Sequence, residues 1–374
     1  MRKRMGFMSE LIFQENCKVA TFKAPESDNY RQVVMDYMMK MADFEWTPKE
    51  TFNIKLRTNR TDMGLNLTYK KGQKYHGVTY CFTKASFDEF LQLFEDGEFV
   101  NNSEYYEVCV GNNCQSSIDM AYQQLIDFPF FGSIQPNPNR GTMLKFPGNL
   151  NFPGKWGDPY DSEDLWNANS KDAVMEAYAE LDMGDVLYFS SKKRSGHLRL
   201  VSKPAEVTRF ENGHIDPDNS FIYTVEQTNI WDDQDTAQGR KTTWFVNRKR
   251  SFATLYKRFF KPVTLTIFTS GEKSKDAYVY YHGENNASTV MNGINGTITS
   301  TFPLAYARIT VRDTNGKLVK SAMKYDLPKC YHIDLSELNE ELDITSLEKG
   351  TYTLTIRAGI ARGGVDFEKF EFTV

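Results

Sequence analysis

From residue 262 to the end of the chain, apolar residues recur at every second position in one short run after another: VTLTIF (263–268), YVYY (278–281), ARITV (307–311), KLVK (317–320), TYTLTI (351–356) and the segment 367–374. Side chains in a strand point alternately to opposite faces, so a period of two marks strands with one face in a core and the other in solvent. Asn315-Gly316 sits between two of these runs and specifies a tight hairpin turn. Several short strands with no long helical pattern among them predict a β-sandwich over 262–374. The boundary is placed at Lys261 and Pro262, where an aromatic and basic segment, Tyr256 to Phe260, comes to an end.

The preceding 261 residues follow a different rhythm. Residues 11–22 read as a strand, and Ser27 or Asp28 as the cap of a helix reaching Met41, because Val33, Val34, Tyr37, Met38 and Met41 recur at helical spacing. A second helix is expected over 86–94, closed by Gly97, and a third over 171–181. Between them, residues 128–166 are dense in Pro, Gly, Asn and aromatics, the composition of a long irregular loop, and loops of that length commonly carry function. Strands are expected at 184–190, 197–201 and 221–225. The whole therefore reads as an α+β chain: a mixed domain over 1–261 and an all-β, Ig-like sandwich over 262–374.

Composition narrows the function classes. The 45 Lys and Arg against 49 Asp and Glu leave a formal net charge of -4, which gives no overall basic field for nucleic acid. No run of about twenty apolar residues is present to span a membrane. Glu10 and Gln14 interrupt the N-terminal apolar stretch, so no secretion signal is read there. The five cysteines (Cys17, Cys81, Cys109, Cys114, Cys330) are scattered, odd in number and without a CxxC pair, which argues against both a disulfide framework and a thiolate metal site. His76, His197, His214, His282 and His332 are equally dispersed and form no HExxH-type ligand pair. Asp232, Asp233 and Asp235 lack the glycine and the later Glu of a calcium loop and read as a solvated turn. No cofactor is expected.

The stretch GNNCQSSIDMAYQQL (111–125) is the candidate for chemistry. Ile118, Ala121, Tyr122 and Leu125 share one helical face, so the helix begins at or just beyond Cys114. Free backbone N–H groups at a helix start favour a thiolate and can hold an oxyanion. Buried free cysteines are common, and a nucleophile needs a base. Gly196-His197-Leu198-Arg199-Leu200-Val201 supplies a histidine at the start of a strand, and Val225-Glu226-Gln227-Thr228-Asn229 supplies polar groups at the end of the next. If Val225 and Gln227 face the core with Leu198 and Leu200, then His197 and Glu226 share the other face, and Glu226 rather than Gln227 is the group that orients the imidazole. The other four cysteines lack a helix-opening context and read as packed side chains. His76 reads as a surface residue, while Trp156, Tyr160 and Trp166 are open to two readings, sugar stacking or anchoring of the long loop.

Five segments between residues 75 and 229 occur in the order found in a known family: YHGVTY (75–80), NCQSS (113–117), GDVLYF (184–189), GHLRLV (196–201) and VEQTN (225–229). In that order the chain resembles the NlpC-type peptidoglycan endopeptidases and the related cysteine, histidine-dependent amidohydrolases, a papain-like superfamily. The resemblance implies Cys114 as nucleophile, His197 as base and Glu226 as its orienting group. It also implies that Tyr80 lines the nucleophile pocket, with Asn113 and Gln227 as further substrate contacts. The family's Asp before the cysteine is Asn113 here, its Ser after the cysteine is Gln115, and its small residue two beyond the histidine is Arg199.

The expected activity is cleavage of an amide by a thiol mechanism without cofactor or metal, with the peptide of bacterial peptidoglycan as the favoured substrate. The sandwich would be an accessory module whose ligand its sequence does not name. Resemblance places the protein in the cell envelope or outside the cell; with no signal peptide read at the N-terminus, a cytoplasmic location is the alternative. Two other readings stand beside this one: a non-catalytic wall-binding or adhesion protein with a degenerate hydrolase domain, and an acyltransferase or amidase acting on another acyl group.

Overall fold

The computed structural model describes residues 10–14, 17–57, 64–129, 133–191, 196–327 and 329–374. Short helices and antiparallel sheets make it an α+β chain in which sheet predominates. It opens on two paired strands, β1 (Glu10–Gln14) and β2 (Cys17–Phe22), where one strand over 11–22 was expected. Helix α1 (Tyr30–Asp43) follows, and its cap is Asn29, whose Oδ1 accepts the Gln32 N–H at 3.2 Å. Val34, Tyr37, Met38 and Met41 are buried, the face that the helical spacing marks. Helix α2 (Phe87–Leu91) starts from a capping box made by Ser86 and Glu89 but stops short of Phe94. Asp96 (φ 52°) and Gly97 (φ 84°) instead turn a hairpin that pairs Phe94 with Phe99. Two consecutive positive φ values are what a tight hairpin turn requires, and a glycine meets that need as readily as it ends a helix.

Helix α3 (Ser116–Tyr122) is buried along its entire length. Helices α4 (Ser162–Asn167), α5 (Lys171–Ala179), α6 (Asp233–Ala237) and α7 (Phe252–Lys257) are also short. Asp232 caps α6 and is itself buried, so the expected solvated turn is a helix start. Six strands form one antiparallel sheet: β3 (Leu144–Lys145), β4 (Val186–Ser190), β5 (Gly196–Val201), β6 (Phe221–Gln227), β7 (Trp244–Ser251) and β8 (Lys261–Leu265), in the order β7-β6-β5-β4-β8-β3. One face, carrying Val186, Tyr188, Leu198, Leu200, Val225 and Val263, shares a core with α1 and α3. Leu187, Val201 and Ile222 pack instead with Leu165, Val174, Tyr178 and Leu255 of the shorter helices. A sheet covered on both sides needs apolar residues at both parities, which is why β4 reads as a near-continuous apolar run.

Later strands build two further sheets: β9 (Ala277–His282), β10 (Thr297–Ser300), β11 (Leu304–Asp313), β12 (Leu318–Lys324), β13 (His332–Asp334), β14 (Thr351–Ile360) and β15 (Gly363–Thr373). The orders are β1-β2-β9-β10-β13 and β12-β11-β14-β15. Ala20, Phe22, Val279, Tyr281 and Ile298 from the first meet Ile309, Val311, Leu354, Ile356 and Phe372 from the second in one core.

The expected division at Lys261 and Pro262 runs through β8, which pairs Val186 with Val263 and Tyr188 with Lys261 inside the six-stranded sheet. In the other direction β2, near the start of the chain, pairs Ala20 with Val279 inside the later sheets. Alternation records that a strand has a buried face but not which sheet it joins. The two parts are further tied by the buried Arg362 guanidinium, which donates to the Gln124 carbonyl at 3.0 Å and the Lys275 carbonyl at 2.8 Å.

Candidate active site

Asn113 builds the turn that presents Cys114. Its Oδ1 accepts the backbone N–H groups of Gln115 at 2.9 Å and Ser116 at 3.0 Å, and its own N–H donates to Ser116 Oγ at 2.9 Å. This is the side-chain capping that Asn supplies at a helix start, so the residue expected to touch substrate spends its acceptor on the backbone. Cys114 is left half-buried immediately before α3.

The His197 imidazole, on the second residue of β5, lies close enough to Cys114 for the sulfur to raise its pKa. His197 Nε2 lies against Glu226 Oε2, which leaves Nδ1 as the ring's other nitrogen. Glu226 is 2% exposed and both its oxygens are held: Arg199 Nε–H donates to Oε2 and Arg250 Nη2–H to Oε1, each at 2.8 Å. Alternation along β5 puts Arg199 on the same side as His197, and its guanidinium lies over the Phe260 ring at 4.3 Å. Gln227, on the opposite face of β6, is fully buried and donates Nε2–H to the Val78 carbonyl at 2.8 Å.

The electrostatics follow from these contacts. Burial pushes the His197 imidazole down, but hydrogen bonds to Cys114 and Glu226, with the charges of both, outweigh it and bring it up to about 9. Burial pushes the Glu226 carboxyl up, yet the bonds and charges of His197 and Arg199 pull it down to about 2. Around the sulfur stand three phenols. Tyr80 and Tyr106 stack with ring centroids 5.5 Å apart, and Tyr188 comes from β4. Burial raises the pKa of all three, and a negative charge on Cys114 raises each further.

The long loop is clamped over the sheet beside this site by two buried cations. Arg140 donates Nε–H to the Ser133 carbonyl at 3.0 Å and approaches Asp119 of α3 at 3.7 Å. Lys261 donates to Ser190 Oγ at 2.6 Å and to Gln135, between the faces of Tyr160 and Tyr188. Tyr160 donates its hydroxyl to the Pro136 carbonyl and Trp166 packs on Tyr256, so both anchor structure, while Trp156 stays 57% exposed.

The structure thus brings Cys114, His197, Glu226 and Tyr80 together, uses Asn113 and Gln227 for local bonding, and holds His76 elsewhere, half-buried and 3.4 Å from Glu45. Tyr106, Tyr188 and Arg250 were not singled out in the sequence, and Arg199 stood out only as a departure from the small residue of the family it resembles. Cys81 and Cys109 are buried beside each other, and burial raises the Cys81 thiol. Among the described residues no three His, Cys, Asp or Glu side chains gather as a metal ion would need, and no helix is long and apolar enough to cross a membrane. Comparison with protein-family models, curated proteins and solved structures gives no match.

Proposed function

We propose that the chain is a cysteine hydrolase cleaving amide bonds, with peptide bonds of bacterial peptidoglycan as its substrate. In this reading the region around α3 and the six-stranded sheet is a papain-like domain of the NlpC type, and the later pair of sheets is an Ig-like accessory module. The observation that carries it is the His197 imidazole, bonded to the buried Glu226 carboxylate and near enough to Cys114 for the sulfur to raise its pKa. An imidazole whose pKa is held near 9 can take and keep the thiol proton, which leaves the sulfur as nucleophile and the imidazolium as its general acid.

The chemistry runs in two halves. His197 takes the Cys114 thiol proton as the sulfur forms a bond to the scissile carbonyl carbon, the carbonyl oxygen takes the negative charge, and the carbon–nitrogen bond then breaks as His197 delivers that proton to the leaving amine. Water attacks the resulting thioester, His197 accepts the water proton, the carbon–sulfur bond breaks and the acid leaves. The Gln115 and Ser116 amides are taken by Asn113, which makes the Cys114 N–H the nearest backbone donor for the oxyanion. Tyr80, Tyr106 and Tyr188 wall the sulfur with aromatic surface. A substrate in the wall places the protein in the cell envelope or outside the cell.

The test is digestion of purified peptidoglycan followed by mass spectrometry, with Cys114→Ala as control and peptide-by-peptide measurement of iodoacetamide labelling. The expected result is a new peptide end that the variant does not produce, and Cys114 labelled fastest of the five thiols at neutral pH. Unchanged peptidoglycan together with uniformly slow labelling would leave a non-catalytic wall-binding role; fast labelling of Cys114 with unchanged peptidoglycan would move the substrate to another acyl group.

A further inference from the structure

The outer face of β11, β14 and β15 forms the floor of a trough of about 690 Å³, walled on one side by Gln92 and Phe94 just beyond α2. Strand register lays its side chains out in rows: Arg308 opposite Arg357, then Thr310 beside Thr355 and Lys369, then Arg312 beside Thr353 and Glu371. Arg357 is fully engaged by Asp88 and Asp366. The other cations are not. Arg308 donates Nη1–H to the Gln92 carbonyl, and its buried Nε has no partner. Arg312 donates only to the Gly316 carbonyl at 2.8 Å, and Lys369 has no ion pair among the described residues. Burial, and then the like charge of Arg312, lower the pKa of Arg308. Two guanidiniums and an ammonium therefore face one groove, with Glu371 and the turn residue Asp313 as the remaining carboxylates of its lining.

We propose that this trough binds an acidic glycan, a chain of hydroxylated sugars bearing carboxylates. Arg308, Arg312 and Lys369 are the carboxylate donors, and Thr310, Thr353 and Thr355 bond the sugar hydroxyls. The guanidinium fork matches a carboxylate in two parallel hydrogen bonds, and short hydroxyls between the cations match ring hydroxyls. A peptide fits less well. β11 and β14, the middle strands of the floor, are paired on both edges, so a peptide laid along them has no backbone edge to join. The site is built from residues remote in sequence from Cys114 and does not depend on the hydrolase reading.

The test is electrophoresis of the native full-length protein through gels containing polygalacturonate, with dextran and poly-glutamate gels beside it. The wild-type protein is expected to be retarded by polygalacturonate and not by dextran. Arg312→Gln with Lys369→Gln should weaken binding by about tenfold or more, the loss of one to two charge-assisted bonds. Lys249→Gln with Lys257→Gln, on the other part of the molecule, should leave it unchanged. Migration that is the same in polygalacturonate and dextran overturns the proposal, as does retention of binding by the Arg312 and Lys369 variant. Equal loss in the Lys249 and Lys257 variant would reduce the effect to general charge attraction, and equal retardation by poly-glutamate would assign the trough to an acidic peptide instead.

Discussion

Two carboxylates in this molecule, one buried and one half-buried, meet nearly the same groups. Glu226 in β6 is held by Arg199, Arg250 and His197. Asp88 in α2 is held by Arg357 of β14, at 2.8 Å, and by the Tyr306 hydroxyl of β11. Both carboxylates meet guanidinium and both accept from a ring. The third partner separates them. An imidazole brought up to about 9 can give and take a proton near neutral pH and has a sulfur beyond it. The Tyr306 phenol, pushed well above its ordinary value by burial and then by Asp88, stays protonated and bonds Asp88 and Arg357. In the proposed function one knot tunes a reactive group; the other fastens α2 to the later sheets.

That contrast can be broken most directly at the first knot. Cys114→Ala should abolish turnover, and Glu226→Gln should lower kcat by roughly a thousandfold, the scale of losing a triad's orienting carboxylate. Because Glu226 raises the His197 pKa, its loss should also move the alkaline limb of the rate profile from about 9 to lower pH. Asp88→Asn should change neither kcat nor the profile, and a shifted limb in that variant would erase the distinction. Gln227→Ala should leave the profile in place, since Gln227 bonds Val78 and not the imidazole. If it abolishes turnover while Glu226→Gln is silent, the assignment of the orienting group is reversed.

Stability should respond in the opposite pattern. Residues 262–374 expressed alone carry β8 without its partner β4 and leave β9 without β2, so the fragment is expected to stay unfolded and to gain cooperative melting when a peptide of residues 10–27 is added. A fragment that melts cooperatively by itself would mean that β2 and the Asp88 knot are dispensable. In the full chain, Asp88→Asn should cost about 2 kcal/mol by chemical denaturation, the scale of hydrogen bonds to a charged group.

The smallest effect sharpens the comparison by its sign. The His197 contribution to stability is complete below its ordinary value of 6.5 and is lost as pH rises through about 9. Lys261 acts the other way: burial lowers it to about 7, so the unfolded chain binds the extra proton between about 7 and 10.5 and stability rises with pH across that window. Lys261→Met should therefore make the denaturation midpoint fall more steeply from pH 7 to 9 than it does in the wild-type protein. An unchanged slope would show that the ammonium keeps its proton beneath the long loop.

Much of the local structure was legible because it is recorded in neighbouring residues. Helical spacing marked the buried face of α1, the turn residues marked the hairpin at Gly316, and strand parity separated Glu226 from Gln227. Arg199 stood out only as a departure from the small residue of the family it resembles, and its bond to Glu226 was not apparent. Gly97 was ambiguous because a helix stop and a hairpin both want a positive φ, and the pairing of Phe94 with Phe99 decided it.

Other features came only from contacts between distant segments. Arg250 reaches Glu226 from the neighbouring strand, Tyr106 and Tyr188 arrive at the sulfur from separate elements, and β2 crosses to β9 over more than 250 residues of chain. The sequence by itself determined which way each side chain points, since backbone period follows from local sterics and burial. Tertiary structure alone decided what waits there: which sheet β8 joins, which cations neutralise Glu226 and which thiol meets a histidine, because those depend on packing between surfaces that no local pattern encodes.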